Sequence, residues 1–148
     1  MGTKQVHFLL VAAVFAAGCA ATGERTAGGS KRTAAENEVA QRTGELIDFV
    51  MNEDYEAVRA MAHPAQAAGF DARQFVQDRF RLKLGTFQIV VVDKKSIGAT
   101  ETKDRKFMLS STVAYVRIMA TNEVLPVYVN LYWQKQGATW YIVPFPEV

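Results

Sequence analysis

His63 is the residue to weigh first, because a general base near neutral pH is most often a histidine. It is the single histidine after the first 18 residues. It directly precedes Pro64, at the expected end of a helix, where an imidazole interacts favourably with the helix dipole. No His/Asp pair is spaced as a dyad. The chain has no Ser-His-Asp arrangement with a nucleophile elbow and no glycine-rich phosphate loop. The acid pair Glu53-Asp54 has the position of helix-start charges. One remaining histidine and a single cysteine, Cys19, make no transition-metal site. No catalytic residue, no metal and no cofactor are expected.

The polar aromatic positions are better candidates for a ligand. Tyr115 and Arg117 alternate onto one face of a strand; Tyr128, Asn130 and Tyr132 do the same on the next. Together they supply a few hydrogen-bonding groups in an apolar setting, the composition of a small-molecule site. The competing reading is a core or solvated sheet face, with tyrosine present as a strand former. Trp133, Trp140 and Tyr141 suit a core or a hydrophobic dimer surface. Lys94-Lys95 and the run Lys103–Lys106 read as solvated hairpin charge, compatible also with phospholipid contact.

The length is 148 residues, with 49% hydrophobic and 22% charged residues, which is globular composition. A formal net charge of +2 provides no field to steer nucleic acid. The N-terminus is different in kind. Met1–Gln5 carries one cation, Lys4, and Val6–Ala17 follows without a charge. That run is shorter than the roughly 20 residues of a membrane span. It matches the apolar centre of a secretory signal, which ends in small residues. Here these are Ala16-Ala17-Gly18, followed by Cys19.

This stretch resembles the lipobox of bacterial lipoproteins, with Ala16 where leucine is usual. The resemblance implies cleavage before Cys19 and a diacylglycerol on its thiol. His7 is then discarded, and the mature chain falls to a net charge of +1 with the loss of Lys4. Acylation also removes the unpaired thiol from an oxidising compartment. The chain divides into a signal peptide (1–18), a tether (19–34) and a folded domain (35–148). The tether is rich in small and polar residues and lacks the apolar side chains to fold alone. About 15 such residues reach roughly 20 Å, so the domain stays near the membrane surface. The resemblance implies a cell-envelope location. Ala20, rather than an aspartate, follows the cysteine, and favours the outer membrane facing the periplasm.

Thr33-Ala34-Ala35-Glu36 has the form of a capping box. Behind it Val39, Thr43, Leu46, Ile47 and Val50 make one helical face. Asn52 reads as the cap of a short second helix that Pro64 stops. Asp71 with Gln74 reads as another box, opening a helix that Gly85 ends. From Thr86 the period becomes two. Strands are expected at Phe87–Asp93, Ser96–Thr102, Lys106–Ala120, Val124–Lys135 and Trp140–Phe145. Ile89–Val92 is apolar on both faces and predicts a strand with at least one face fully covered and the other partly so. Pro126 argues for an edge or a bulge.

Helices followed by an antiparallel meander read as α+β, with N-terminal helices packed on a curved antiparallel sheet. The helical run Glu38–Val50, the short helix Glu53–Ala62 and the ending Leu131–Phe145 (LYWQKQGATWYIVPF) resemble the nuclear transport factor 2-like superfamily. A cystatin-like domain is the alternative. The superfamily resemblance implies a pocket between helices and sheet that takes small apolar molecules. The expected function is a non-catalytic, lipid-anchored envelope protein that binds such a ligand or an envelope protein partner. The alternatives are a small acid–base enzyme of isomerase, dehydratase or cyclase type, and a module that dimerises through its sheet.

Overall fold

The computed structural model describes residues 31–146. The expected signal peptide, Cys19 and most of the expected tether lie outside the described residues.

Helix α1 spans Ala34–Met51 and opens on the expected box. Thr33 Oγ1 accepts the Glu36 amide at 3.2 Å, and the Glu36 carboxylate accepts the Thr33 amide at 2.7 Å. Its buried stripe contains all five expected apolar-face residues. The next cap differs from expectation. Asn52 ends α1, its amide and side chain both donating to the Asp48 carbonyl. Glu53 then takes a left-handed φ of 57°. Asp54 caps α2, Tyr55–Ala60, by accepting the Ala57 amide at 3.0 Å. Reversing the chain between two helices needs one left-handed residue, and that displaces the cap two places.

Helix α2 also stops before Pro64 acts on it. The Ile142 amide donates to Met61 at 2.8 Å, and the His63 amide donates to Ile142 at 2.8 Å. Pairing of Ala62 with the sheet thus takes the backbone groups that another helical turn needs. Helix α3 covers Ala72–Phe80. Asp71 caps it through the Gln74 amide, but the Gln74 side chain bonds Asp78, so only half of the box forms. Arg81, at φ 55°, ends this helix; Gly85, at φ 82°, belongs to the turn that follows.

The strands are β1 (Phe87–Val92), β2 (Gly98–Glu101), β3 (Met108–Ile118), β4 (Val124–Gln136) and β5 (Thr139–Ile142). All pair antiparallel, in the order β1-β3-β4-β5. Strand β2 lies along the same side of β3 as β1, against its first residues. A 3₁₀ turn, Lys94–Ser96, interrupts what is otherwise one path. Cover over β1 is less than its composition suggests: only Ile89 is buried. A bulge at Val90 shifts the register between Ile89 and Val91, and β1 has one neighbour. Strand β5 pairs with β4 only from Trp133 onward. The Pro126 segment therefore has a free side, as its missing N–H requires.

The helices pack against this strongly curled sheet, which forms a half-barrel consistent with a nuclear transport factor 2-like cone. The core draws Leu46 and Ile47 from α1, Val58 from α2, Val76 and Phe80 from α3, and Val129, Leu131 and Trp133 from β4. Among the described residues no helix is long and apolar enough to cross a membrane.

Candidate functional site

The space between α1 and the sheet is filled. Trp133 is 0% exposed. Its Nε1–H donates to Ser110 Oγ at 2.8 Å, and Ser110 Oγ lies 2.7 Å from Thr43 Oγ1. Thr43 in turn donates to the Val39 carbonyl at 2.8 Å. Each hydroxyl has one proton, so the consistent direction runs Trp133 to Ser110 to Thr43 to Val39. The relay leaves these four groups satisfied in a setting where an unpaired one costs about 1–3 kcal/mol. It also sets which face of β3 turns inward: Met108, Ser110, Thr112, Ala114 and Val116 are buried.

The opposite face carries the five residues singled out from the sequence. Tyr115 pairs with Pro126, Arg117 with Val124, Asn130 with Ser111, Tyr128 with Val113 and Tyr132 with Leu109. They share one sheet face, turned away from the Trp133 relay. Tyr128 is 73% exposed and Tyr115 is 44% exposed; Asn130 is exposed too. Arg117 and Tyr132 are half-buried, the latter edge-on to Phe107. The structure therefore brings all five onto one surface but does not fold them into a pocket between helices and sheet. Sequence reasoning missed Val91, Val124 and Pro126, which fill the gaps between them. Val91 pairs with Tyr115 and is 52% exposed. The signal available for this was Pro126, which marks an uncovered strand segment.

Among the described residues His63 enters no ion pair. Its Nδ1 accepts the Ala65 amide at 3.3 Å, and its ring meets Tyr141 edge-on. That is a loop-closing role. Among the described residues there is no group of three or more His, Cys, Asp or Glu placed to hold a metal ion. Arg79 is tied to the C-terminal segment, donating to the Pro144 carbonyl at 2.7 Å, and burial lowers its pKa.

Two open clefts lie at the two ends of α1. One, of about 330 Å³, is lined by Val50, Met51, Glu53, Tyr55, Phe87 and Met119, among others. Burial raises the Tyr55 pKa, with Glu53 adding to the effect. Arg73 lies 4.5 Å from the Tyr55 ring centroid. The other, of about 570 Å³, lies between the start of α1 and the β2–β3 turn. Glu53 and Tyr55 share the lining of the first cleft, and Glu36 and Glu101 that of the second.

Glu38, beside the second cleft, ties the β4–β5 hairpin to α1. Its Oε2 accepts Trp140 Nε1–H at 2.8 Å and Lys135 Nζ at 3.1 Å. The Trp140 hydrogen bond, and then Lys135, lower the Glu38 pKa. A carboxylate with a depressed folded pKa stabilises above its unfolded pKa, and this contribution is lost as pH falls through the folded value. Glu38→Gln is therefore expected to be less stable than the parent at neutral pH. The gap should close as the solution is acidified through that range. Denaturant melts across a pH series check this; a gap independent of pH is the contrary outcome.

Compared with protein-family models, with curated proteins and with solved structures, the chain matches none.

Proposed function

We propose that this is a lipid-anchored protein of the bacterial cell envelope whose folded domain docks a protein partner and performs no chemistry of its own. The observation that supports it best is the pairing of a filled interior with an uncovered sheet face. Val91, Val113, Tyr115, Val124, Pro126 and Tyr128 lie on that face, with Arg117 and Asn130 among them. Exposed aromatic and aliphatic groups with a few polar ones have the make-up of a protein interface. Occupation of the interior by Trp133 argues against a small apolar ligand held between helices and sheet. The resemblance of the stretch ending at Cys19 to a lipobox supports the envelope location.

A photo-crosslinking residue in place of Tyr128, installed in cells, tests the docking face. One at Glu56, exposed on α2, serves as the control. A discrete protein adduct from position 128 and none from 56 is expected. Loss of that adduct on adding Val91→Asp, with unchanged thermal unfolding, completes the result. Equal labelling from both positions overturns the reading.

A further inference from the structure

The folded domain begins at an end that carries five of its unpaired cations, Lys31, Arg32, Lys103, Arg105 and Lys106. Thr33, Ala35 and Glu36 form one side of the larger cleft; Arg105, Lys106 and Lys135 stand around it. Lys31 and Arg32 immediately precede Thr33, and Lys103 lies in the same turn as Arg105. Six cations thus gather where the tether joins the domain. Four acids accompany them: Glu36, Glu38, Glu101 and Asp104. The excess is two. The chain has 17 cations and 15 acids, of which Lys4, Arg25 and Glu24 precede Lys31, leaving 15 against 14 from Lys31 onward. The rest of the domain is therefore slightly negative, and the charge is polarised toward the tether.

Three of the four acids also accept hydrogen bonds from the protein's own donors. Glu36 accepts the Thr33 amide, and Asp104 accepts the Thr102 hydroxyl at 2.6 Å and the Lys106 amide at 3.1 Å. Glu38 holds Trp140 and Lys135. Lys31, Arg32, Lys103, Arg105 and Lys106 enter no ion pair among the described residues. Arg105 stands at the tip of the turn with a left-handed φ of 57°.

We infer that this end of the domain is a contact surface for a layer of anionic lipid headgroups, so that the anchored protein stands tether end down on the membrane. The inference rests on the reading of Cys19 as a lipid anchor. The tether reaches roughly 20 Å, so its length keeps this end near the bilayer. Basic residues near an anionic surface each favour contact by about fivefold in the docked-to-free ratio, and the attraction fades within a Debye length. The sheet face of Tyr115 and Tyr128 is turned away from α1, and β3 runs from Met108 at this cleft toward Met119 at the other. That orientation leaves the face free to meet a partner.

The single cysteine permits a test that does not depend on processing in the cell. The chain Cys19–Val148 is coupled through Cys19 to maleimide lipids in vesicles of phosphatidylcholine, with or without phosphatidylglycerol. An amine-reactive reagent then reports each lysine by mass spectrometry. Lys103 and Lys106 should react about threefold or more slowly on the anionic vesicles, with Lys83 and Lys95 unchanged as internal controls. Arg105→Glu should bring both lysines back toward their rates on phosphatidylcholine, and so should raised salt. Equal rates on the two compositions overturn the inference, as does uniform slowing of all lysines. Failure of lipidation itself is read separately, by palmitate labelling of the native protein in cells.

Discussion

Trp133→Ala is expected to cost the domain about 3–5 kcal/mol, the range for truncating a fully buried aromatic side chain. A domain of this size has a total stability of about 5–15 kcal/mol, so the variant is expected to be largely unfolded at moderate denaturant. Two effects add. The indole is 0% exposed, between Ser110 and Met108 of the neighbouring strand and Ile142 of β5. Removing it opens a cavity that the curled sheet and α1 close only in part. It also takes the donor from Ser110 Oγ, at the head of the relay through Thr43 to Val39. Trp133→Phe separates the two. It restores most of the ring volume and still breaks the hydrogen bond, so its loss should be distinctly smaller than that of the alanine variant. Guanidinium unfolding of the three proteins measures both. A loss below about 1 kcal/mol for Trp133→Ala contradicts the filled interior.

Cys19→Ser is expected to move nearly all of the protein from the membrane to the soluble fraction. The argument is one of buried methylene groups. Each acyl CH₂ in the bilayer contributes about 0.8 kcal/mol, and stable anchoring takes two chains or one chain with a basic patch. A diacylglycerol on Cys19 meets that requirement. Serine has no thiol to accept it, and among the described residues no helix is able to cross the bilayer instead. Fractionation of cells expressing the two forms at equal level provides the measurement. Persistence of the serine variant in washed membranes removes the anchor from the account. The basic tether end by itself carries an excess of only two charges, and salt should release that residual attraction.

Local signals were legible where the physics is local. The box at Thr33 and Glu36 needs only four consecutive residues, and it forms as expected. The face Val39–Val50 needs only the helical period. Between β4 and β5, Gly137 takes a left-handed φ of 62°, which a tight hairpin favours and glycine allows. Signals that depend on a distant partner were misread or missed. Asn52 and Asp54 are both good caps, and the choice between them follows from how α1 and α2 must cross. The length of α2 is set by Ile142, about 80 residues later, which claims the Met61 carbonyl. The apolar run in β1 predicted cover, but its bulge and edge position expose Val90 and Val91.

The candidate surface shows the same division. Alternation alone placed Tyr115 with Arg117, and Tyr128 with Asn130 and Tyr132. It did not say which side of the sheet they take, because a period of two fixes the sets and not the direction. On β3 the inward set includes Ser110 and Thr112, the more polar choice. Tertiary packing decided it: the Trp133 indole on β4 and Thr43 on α1 offer Ser110 the partners that make its burial tolerable. By itself, then, the chain determined its α+β class and the order of its helices and strands, since each is written in neighbouring residues. Only the tertiary structure decided that the interior is closed by a tryptophan and the tyrosines face outward, because that choice depends on which distant groups satisfy one another.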